Sequence, residues 1–396
     1  MIDSLYVAWR YLSFNWARSL TLVACVTLIA LLPLSLQLLL DESERQLVSR
    51  AESTPLLVGA KGSALDLVMN SLYFGKTVPE LISMAAVDRV AEDDLAMPIP
   101  LYVRFRARGF PIIGTNLDYF EFRRLRLAAG RSLVLLGECV LGARAAEELG
   151  LGPGDPLLSS PETLFDLAGV YPLKMRVAGV LAPTHGPDDL AVFVDLKTTW
   201  VIQGLVHGHA DLSAVTDPTL VMERSAGKVT ATAKVAQYTE ITAENIDTFH
   251  FHGSPDSYPI TAVIALPRDE KAGAILRGRY IGTANSSESQ QIQVPGTIVG
   301  ELLATVFRVK SILDAVILVV AIATLLALTL VFALSLRLRQ REIQTIFKLG
   351  CSRSTIARLL GAEIAIVLLV SAALTGLLLA VVMHYQEPLV RAIFIH

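Results

Sequence analysis

Residues 337–358 read RLRQREIQTIFKLGCSRSTIAR, six Lys or Arg against the single acid Glu342. Apolar runs flank this stretch: Ala315 to Leu336 and Ile364 to Met383, of 22 and 20 residues, carry no formal charge. At about 1.5 Å per helical residue each is long enough to cross a hydrocarbon core of about 30 Å. A short cationic loop between two spans stays in the cytoplasm, because Lys and Arg resist translocation. The segment therefore orients the chain as well as dividing it.

Composition agrees with a membrane protein. The chain is 53% hydrophobic and 18% charged, with a mean hydropathy of +0.53. A third apolar run, Ser19 to Leu40, lies near the N-terminus, and a long stretch of ordinary globular composition separates it from the other two. A net charge of −3 gives no reason to expect nucleic-acid binding. The three cysteines fall in the first span (Cys25), the globular stretch (Cys139) and the cationic loop (Cys351), so no intrachain disulfide is expected.

The first apolar run is longer than a signal-peptide core and has no small-x-small cleavage site before Asp41, so it is expected to be a retained helix. Arg10 and Arg18 precede it, and Asp41, Glu42 and Glu44 follow it, which places its N-terminus inside. Upstream, Leu5, Trp9, Leu12 and Trp16 share a helical face. That pattern fits a helix lying in the inner lipid interface on aromatic anchors, and it fits equally a simple extension of the first span. The expected protein is α-helical and multi-pass in the cytoplasmic membrane, with three transmembrane helices and a large extracytoplasmic α+β domain. Residues 1–40 hold the interfacial and first membrane helices, 41–308 the external domain, and 309–396 two spans joined by the cytoplasmic loop. The tail from His384 to His396 is left outside.

Within the external domain, LAMPIPLYVRFRARGFPIIGT (residues 95–115) alternates strand formers with turn residues. Tyr102, Arg104 and Arg106 set against Val103, Phe105 and Ala107 give the period of two of a half-buried strand. MRVAGVLAP, LAVFVDL, AKVAQYTEITAE and YPITAVIALP read as further strands, and GECVLGARAAEELGL as a helix closed by Gly150 before a GPGD turn. Interleaved in this way they predict an α+β domain of at least two lobes.

LLVGAKGSALDL, at Leu56 to Leu67, has the look of a phosphate loop but lacks its spacing, in which Lys follows the second Gly directly. It reads instead as a glycine-rich turn leading into a helix. No Walker motif occurs elsewhere, so any ATP used is hydrolysed by another polypeptide. There is no GxSxG, HExxH or CxxC pattern, and no catalytic activity is expected of this chain. His207 and His209, and His250 and His252, are spaced so that each pair points to one face of a strand. They could supply four imidazoles to zinc or copper if the segments met, although such pairs also occur in solvated loops.

The cationic loop has more structure than topology requires. Arg341, Glu342 and Ile343 open a short helix with Ile343, Ile346 and Phe347 on one side; Leu349 and Gly350 end it, and Ser352 or Ser354 caps the next helix. Glu363, about one turn into the third span, is costly in lipid, so it faces another helix or reaches for the interface. Ser371, Gly376 and neighbouring alanines in that span allow helices to approach closely.

RQREIQTIFKLGCSRSTIARLLGAEIAIVLL resembles the cytoplasmic loop and following helix of the FtsX-like, MacB-like permeases of ABC transporters, the family pattern falling on Arg341, Glu342, Ile343, Leu349, Gly350, Ser352, Ile356 and Glu363. AWRYLSFNWARSLTLVA is similar to the family's entry into its first helix. VLGARAAEELGLGPGD, VAGVLAPT and AVFVDL are similar to its periplasmic core domain. The resemblance implies a non-catalytic permease that acts as a lever. An ABC ATP-binding subunit, holding ATP and Mg²⁺, docks on the coupling residues Arg341 to Gly350, and its closure moves the external domain. It also implies a second permease chain, identical or related, and a periplasmic substrate or adaptor of unspecified chemistry. Family members normally carry a fourth membrane helix, whereas only about twelve residues follow the third span here, too few to cross a bilayer. The competing reading is a membrane-anchored receptor or adaptor without nucleotide-driven motion.

Overall fold

The computed structural model of the chain describes residues 2–160, 172–208, 221–225, 228–231, 239–251, 253–281, 289–338, 340–348 and 352–394. They form two compact units, one of residues 48–301 and one of residues 1–47 with 302–396.

Two helices open the chain, α1 (Ile2–Phe14) and α2 (Trp16–Glu52). Then come β1 (Leu56–Ala60), α3 (Ala64–Tyr73), β2 (Ile82–Ser83), α4 (Ala85–Ala91), β3 (Ala96–Ala107), β4 (Phe110–Thr115) and α5 (Leu117–Phe122). They are followed by β5 (Leu127–Gly130), β6 (Glu138–Leu141), α6 (Ala143–Leu149), β7 (Pro156–Leu158), β8 (Lys174–Leu181), β9 (Val192–Asp195) and α7 (Leu196–Ile202). Short strands β10 (Val206–His207), β11 (Val221–Ser225), β12 (Lys228–Ala231), β13 (His250–Phe251) and β14 (Pro259–Ile260) lead to β15 (Ala262–Pro267), α8 (Glu270–Ile281) and β16 (Gln290–Gln293). Helices α9 (Pro295–Leu338), α10 (Gln340–Lys348) and α11 (Arg353–Phe394) complete the described chain.

A ten-stranded mixed sheet organises residues 48–301, in the order β16-β1-β15-β3-β4-β9-β6-β8-β5, with β7 also paired to β8. Pairings are antiparallel except β4 with β9 and β6 with β8. The first and last strands are neighbours: β1 pairs antiparallel with β16, Leu57 opposite Gln293. In the chain α2 directly precedes β1 and α9 directly follows β16.

Strand β1 is buried at every position, as a strand covered on both faces must be. Leu56, Val58 and Ala60 belong to the cluster that includes Ala86, Val90, Trp200 and Leu276. Between them Gly59 meets α3 so closely that a Cβ would lie 2.3 Å from Leu67 Cδ1. The glycine of the supposed phosphate loop is therefore a strand residue under a helix. The helix that follows starts at Ser63, whose hydroxyl accepts from Asp66 N at 3.1 Å. Ser63→Ala is expected to cost about 1 kcal/mol, readable as a lower denaturation midpoint of this unit.

Burial along β3 departs from simple alternation. Arg104 and Arg106 are partly exposed between buried neighbours, but Tyr102 is fully buried. With β15 and β4 on either side the strand is central, and the Tyr102 hydroxyl is satisfied by Gln203 Oε1 at 2.8 Å. The stretch expected as one helix from Gly137 to Leu151 is a correction. Glu138–Leu141 is strand β6, wholly buried between β8 and β9, and the helix is confined to Ala143–Leu149. Pairing on both sides satisfies the backbone and buries Cys139, whose thiol burial pushes up to about 12, so the helical character of its neighbours does not extend to it. MRVAGVL and VFVD are strands β8 and β9, and YPITAVIALP holds β14 and β15. Of AKVAQYTEITAE (residues 233–244), residues 233–238 lie outside the described residues, and 239–244 form no strand, only an isolated bridge between Glu240 and Lys174.

In the other unit, α1 packs along α11 with Ala8 fully buried, while Leu5, Trp9, Phe14 and Trp16 stay exposed. Helices α1 and α2 are separate, with a turn at Asn15 between them. Glu363, Val367, Ser371 and Thr375, four residues apart, make a buried stripe on α11, and Ser371 Oγ donates to Val23 O on α2 at 3.4 Å. Among the described residues two stretches are long and apolar enough to cross a membrane, Trp16–Ser35 and Ser354–His384, and α9 contributes the shorter apolar stretch Asp314–Leu326.

Candidate functional site

Helix α10 spans Gln340–Lys348 and carries Arg341, Glu342, Ile343, Ile346 and Phe347, while Leu349 and Gly350 lie outside the described residues. Positions 343, 346 and 347 fall on one face by helical spacing. Phe347 is half exposed and Gln344, Thr345 and Lys348 are exposed. The next helix is capped by Ser352, whose hydroxyl accepts from Thr355 N at 3.2 Å. In chain order α10 therefore lies between α9 and α11, and α11 begins with a cap of its own.

A second constellation lies in the 48–301 unit, at the C-terminal end of α2. Arg50 forks onto Asp188, Nη1 to Oδ2 at 2.6 Å and Nη2 to Oδ1 at 3.0 Å. The same guanidinium donates to the Tyr119 hydroxyl at 2.9 Å and to the Leu72 carbonyl, and it lies 5.4 Å from the Phe74 ring centroid. Tyr119 in turn donates to Asp188 Oδ1 at 2.8 Å. Arg123 closes the group from outside, reaching Ser53 Oγ at 3.0 Å and Thr54 Oγ1 at 2.7 Å over the Phe122 ring. Side-chain exposures of 9% for Arg50 and 4% for Asp188 mark a desolvated pair, whose energetics are set by geometry and partners.

The electrostatics follow from that burial. Burial alone would raise the Asp188 carboxyl, but the Arg50 charge and the hydrogen bonds from Arg50 and Tyr119 outweigh it and hold the group below its usual range. Burial opposes the Arg50 charge, and Asp188 more than restores it. The Tyr119 phenol is pushed up, chiefly by burial, and stays a donor.

The loop carrying Asp188 is itself held. Asp189, also buried, accepts from Thr184 N and Oγ1 at 2.7 Å and from His185 N at 2.8 Å. Gly142 lets this loop approach β6, since a Cβ there would sit 2.2 Å from the Asp188 carbonyl oxygen. Gly142→Ala is expected to displace Asp188 at a cost of about 1–3 kcal/mol, seen as a lower melting temperature, whereas Gly278→Ala, in open space within α8, does not lower it.

Of the histidines, His207 on β10 and His250 on β13 lie opposite one another in antiparallel register. His250 Nδ1 is 3.1 Å from Thr248 O. His209 and His252 lie outside the described residues, and among the described residues no three metal-ligating side chains come together. The arginine constellation escaped sequence reasoning because Arg50 and Asp188 are 138 residues apart. Its only trace is an arginine in the apolar context LVSRA and an acidic pair in PDDL between two strands.

Residues 23–243 match the family model of the MacB-like periplasmic core domain, more than half of the chain. The chain belongs to the MacB/FtsX-like permease family. Similar solved structures cover most of their own length at low identity. The periplasmic region of MacB from Actinobacillus actinomycetemcomitans is 11% identical over 63% of this chain and 93% of its own, with a TM-score of 0.35. The extracellular domain of the noncanonic ABC-type transporter YknZ from Gram-positive bacteria is 11% identical over 60% and 98%, with a TM-score of 0.34. A domain of a putative permease from Porphyromonas gingivalis, also 11% identical, covers 61% and 89% with a TM-score of 0.26. Among curated proteins none matches the chain. The match to a periplasmic core domain, together with an apolar helix near each end of the chain, fits a membrane protein with an extracytoplasmic domain.

Proposed function

We propose that this chain is the membrane subunit of a two-component ABC transporter, in which a separate ATPase, carrying ATP and Mg²⁺, docks on α10 and drives movement of the extracytoplasmic domain. The observation that supports this reading is α10 itself, a helix of residues 340–348 inside a cationic segment, lying in chain order between two long helices. Arg341, Glu342, Ile343, Ile346, Phe347, Leu349 and Gly350 are the coupling residues. With three spans, α10 and the N-terminus lie in the cytoplasm, and α1 lies against lipid through Trp9 and Phe14.

An ATPase dimer presents two clefts, so two permease chains assemble, with the exposed Gly376 and Ala380 of α11 at the contact. A cysteine at Gly376 is expected to crosslink two copies in membranes; no crosslink anywhere along the exposed face of α11 would move the interface elsewhere. The test of the main reading is co-purification in detergent, which should recover an ATP-binding subunit whose hydrolysis the permease alters. Recovery of this chain alone, with no nucleotide-binding partner, favours the receptor reading.

A further inference from the structure

We propose that Arg50 is a positioning residue that seats the last turns of α2 in a socket of the extracytoplasmic domain. Among residues 48–52, Ala51 is fully buried, Ser49 and Glu52 are exposed, and Val48 is half-buried. Apolar burial there is slight, and a helix end with few buried contacts opens at little cost. Arg50 supplies what the apolar contacts do not. Its donors reach the carbonyl of Leu72 at the end of α3, the hydroxyl of Tyr119 on α5 and both oxygens of Asp188 ahead of β9. One guanidinium thus ties the helix to segments from three places in the sequence.

Arginine is suited to this because its planar fork satisfies a carboxylate twice and still has donors to spare. Arg123 repeats the arrangement one turn later, gripping Ser53 and Thr54 just past the helix end. Asp189 and Gly142 hold the acceptor loop in place from behind. The acceptor half of the joint is therefore held by contacts of its own. If α2 moves when the ATPase closes, which rests on the function proposed above, this joint passes the displacement to the sheet.

The test is hydrogen exchange on the full-length chain in detergent, without nucleotide, comparing wild type with Arg50→Gln, Arg50→Lys and Asp188→Asn. Arg50→Gln is expected to speed exchange of the amides of residues 49–54 at least tenfold, equivalent to about 1.4 kcal/mol. Protection in β1, β15 and β3 should fall by a smaller factor than at residues 49–54, because the strands keep their pairing when the helix end is released. Arg50→Lys restores part of the protection, because the charge remains and the fork does not. Unchanged exchange at 49–54 would overturn the proposal. So would equal acceleration across the whole sheet, which is what a residue serving only overall stability produces. If Arg50→Gln does not accumulate, Arg50→Lys and Asp188→Asn carry the same comparison. The measurement uses no ATPase, so failure to find one sinks the functional reading and leaves this result to stand or fall alone.

Discussion

Asp188→Ala is expected to destabilise the 48–301 unit by about 3–5 kcal/mol, because it leaves the Arg50 charge buried without its partner. In a unit of this size that corresponds to a melting temperature lower by roughly 6–20 °C. Trp200, buried in this unit and bonded to Pro259 O at 2.9 Å, is a suitable probe once Trp9 and Trp16 are changed to Phe. The pH dependence has a definite sign. The folded carboxyl sits below its unfolded value of about 3.9, so its contribution is complete above that value and is lost as pH falls through the folded one. The stability gap between wild type and Asp188→Asn should therefore shrink as pH falls below about 4. A gap that stays constant over that range would mean that Asp188 does not titrate against Arg50.

Phe347→Asp is expected to abolish ATPase docking. If Ile343, Ile346 and Phe347 seat in a cleft of the partner, the substitution buries an unpaired charge at the contact. That typically costs several kcal/mol, against the roughly 1.4 kcal/mol of a tenfold change in affinity. Binding should fall by at least about a hundredfold, a cost of about 2.7 kcal/mol, and permease-dependent hydrolysis should be lost with it. Phe347 is half exposed and lies outside the 48–301 unit, so insertion and the melting of the external domain should be unchanged. Exposed positions without a partner generally tolerate substitution within about 0.5 kcal/mol. Wild-type docking in Phe347→Asp would remove the support for the coupling role of α10 and leave the receptor reading ahead.

Some elements were legible because their signals are local. Helix α10 and the start of α11 are visible in spacing and capping residues alone, as is the extended character of residues 95–115 that become β3 and β4. Strand β6 was not legible. ECVL adjoins a strong helix former, and only its two neighbouring strands make it extended. Tyr102 looked half-exposed because a period of two says nothing of what lies above the sheet. Histidine spacing suggested two pairs, and it took the register of β10 with β13 to set His207 opposite His250.

Sequence by itself determined the apolar helices, the cationic break between α9 and α11 and the presence of an α+β domain between them. These follow from hydropathy, charge and turn residues acting over a few positions. Tertiary structure alone decided that β1 and β16 are neighbours and that Arg50 meets Asp188. A buried guanidinium needs acceptors wherever the fold can bring them, and a distance of 138 residues leaves no local pattern by which to read the pair.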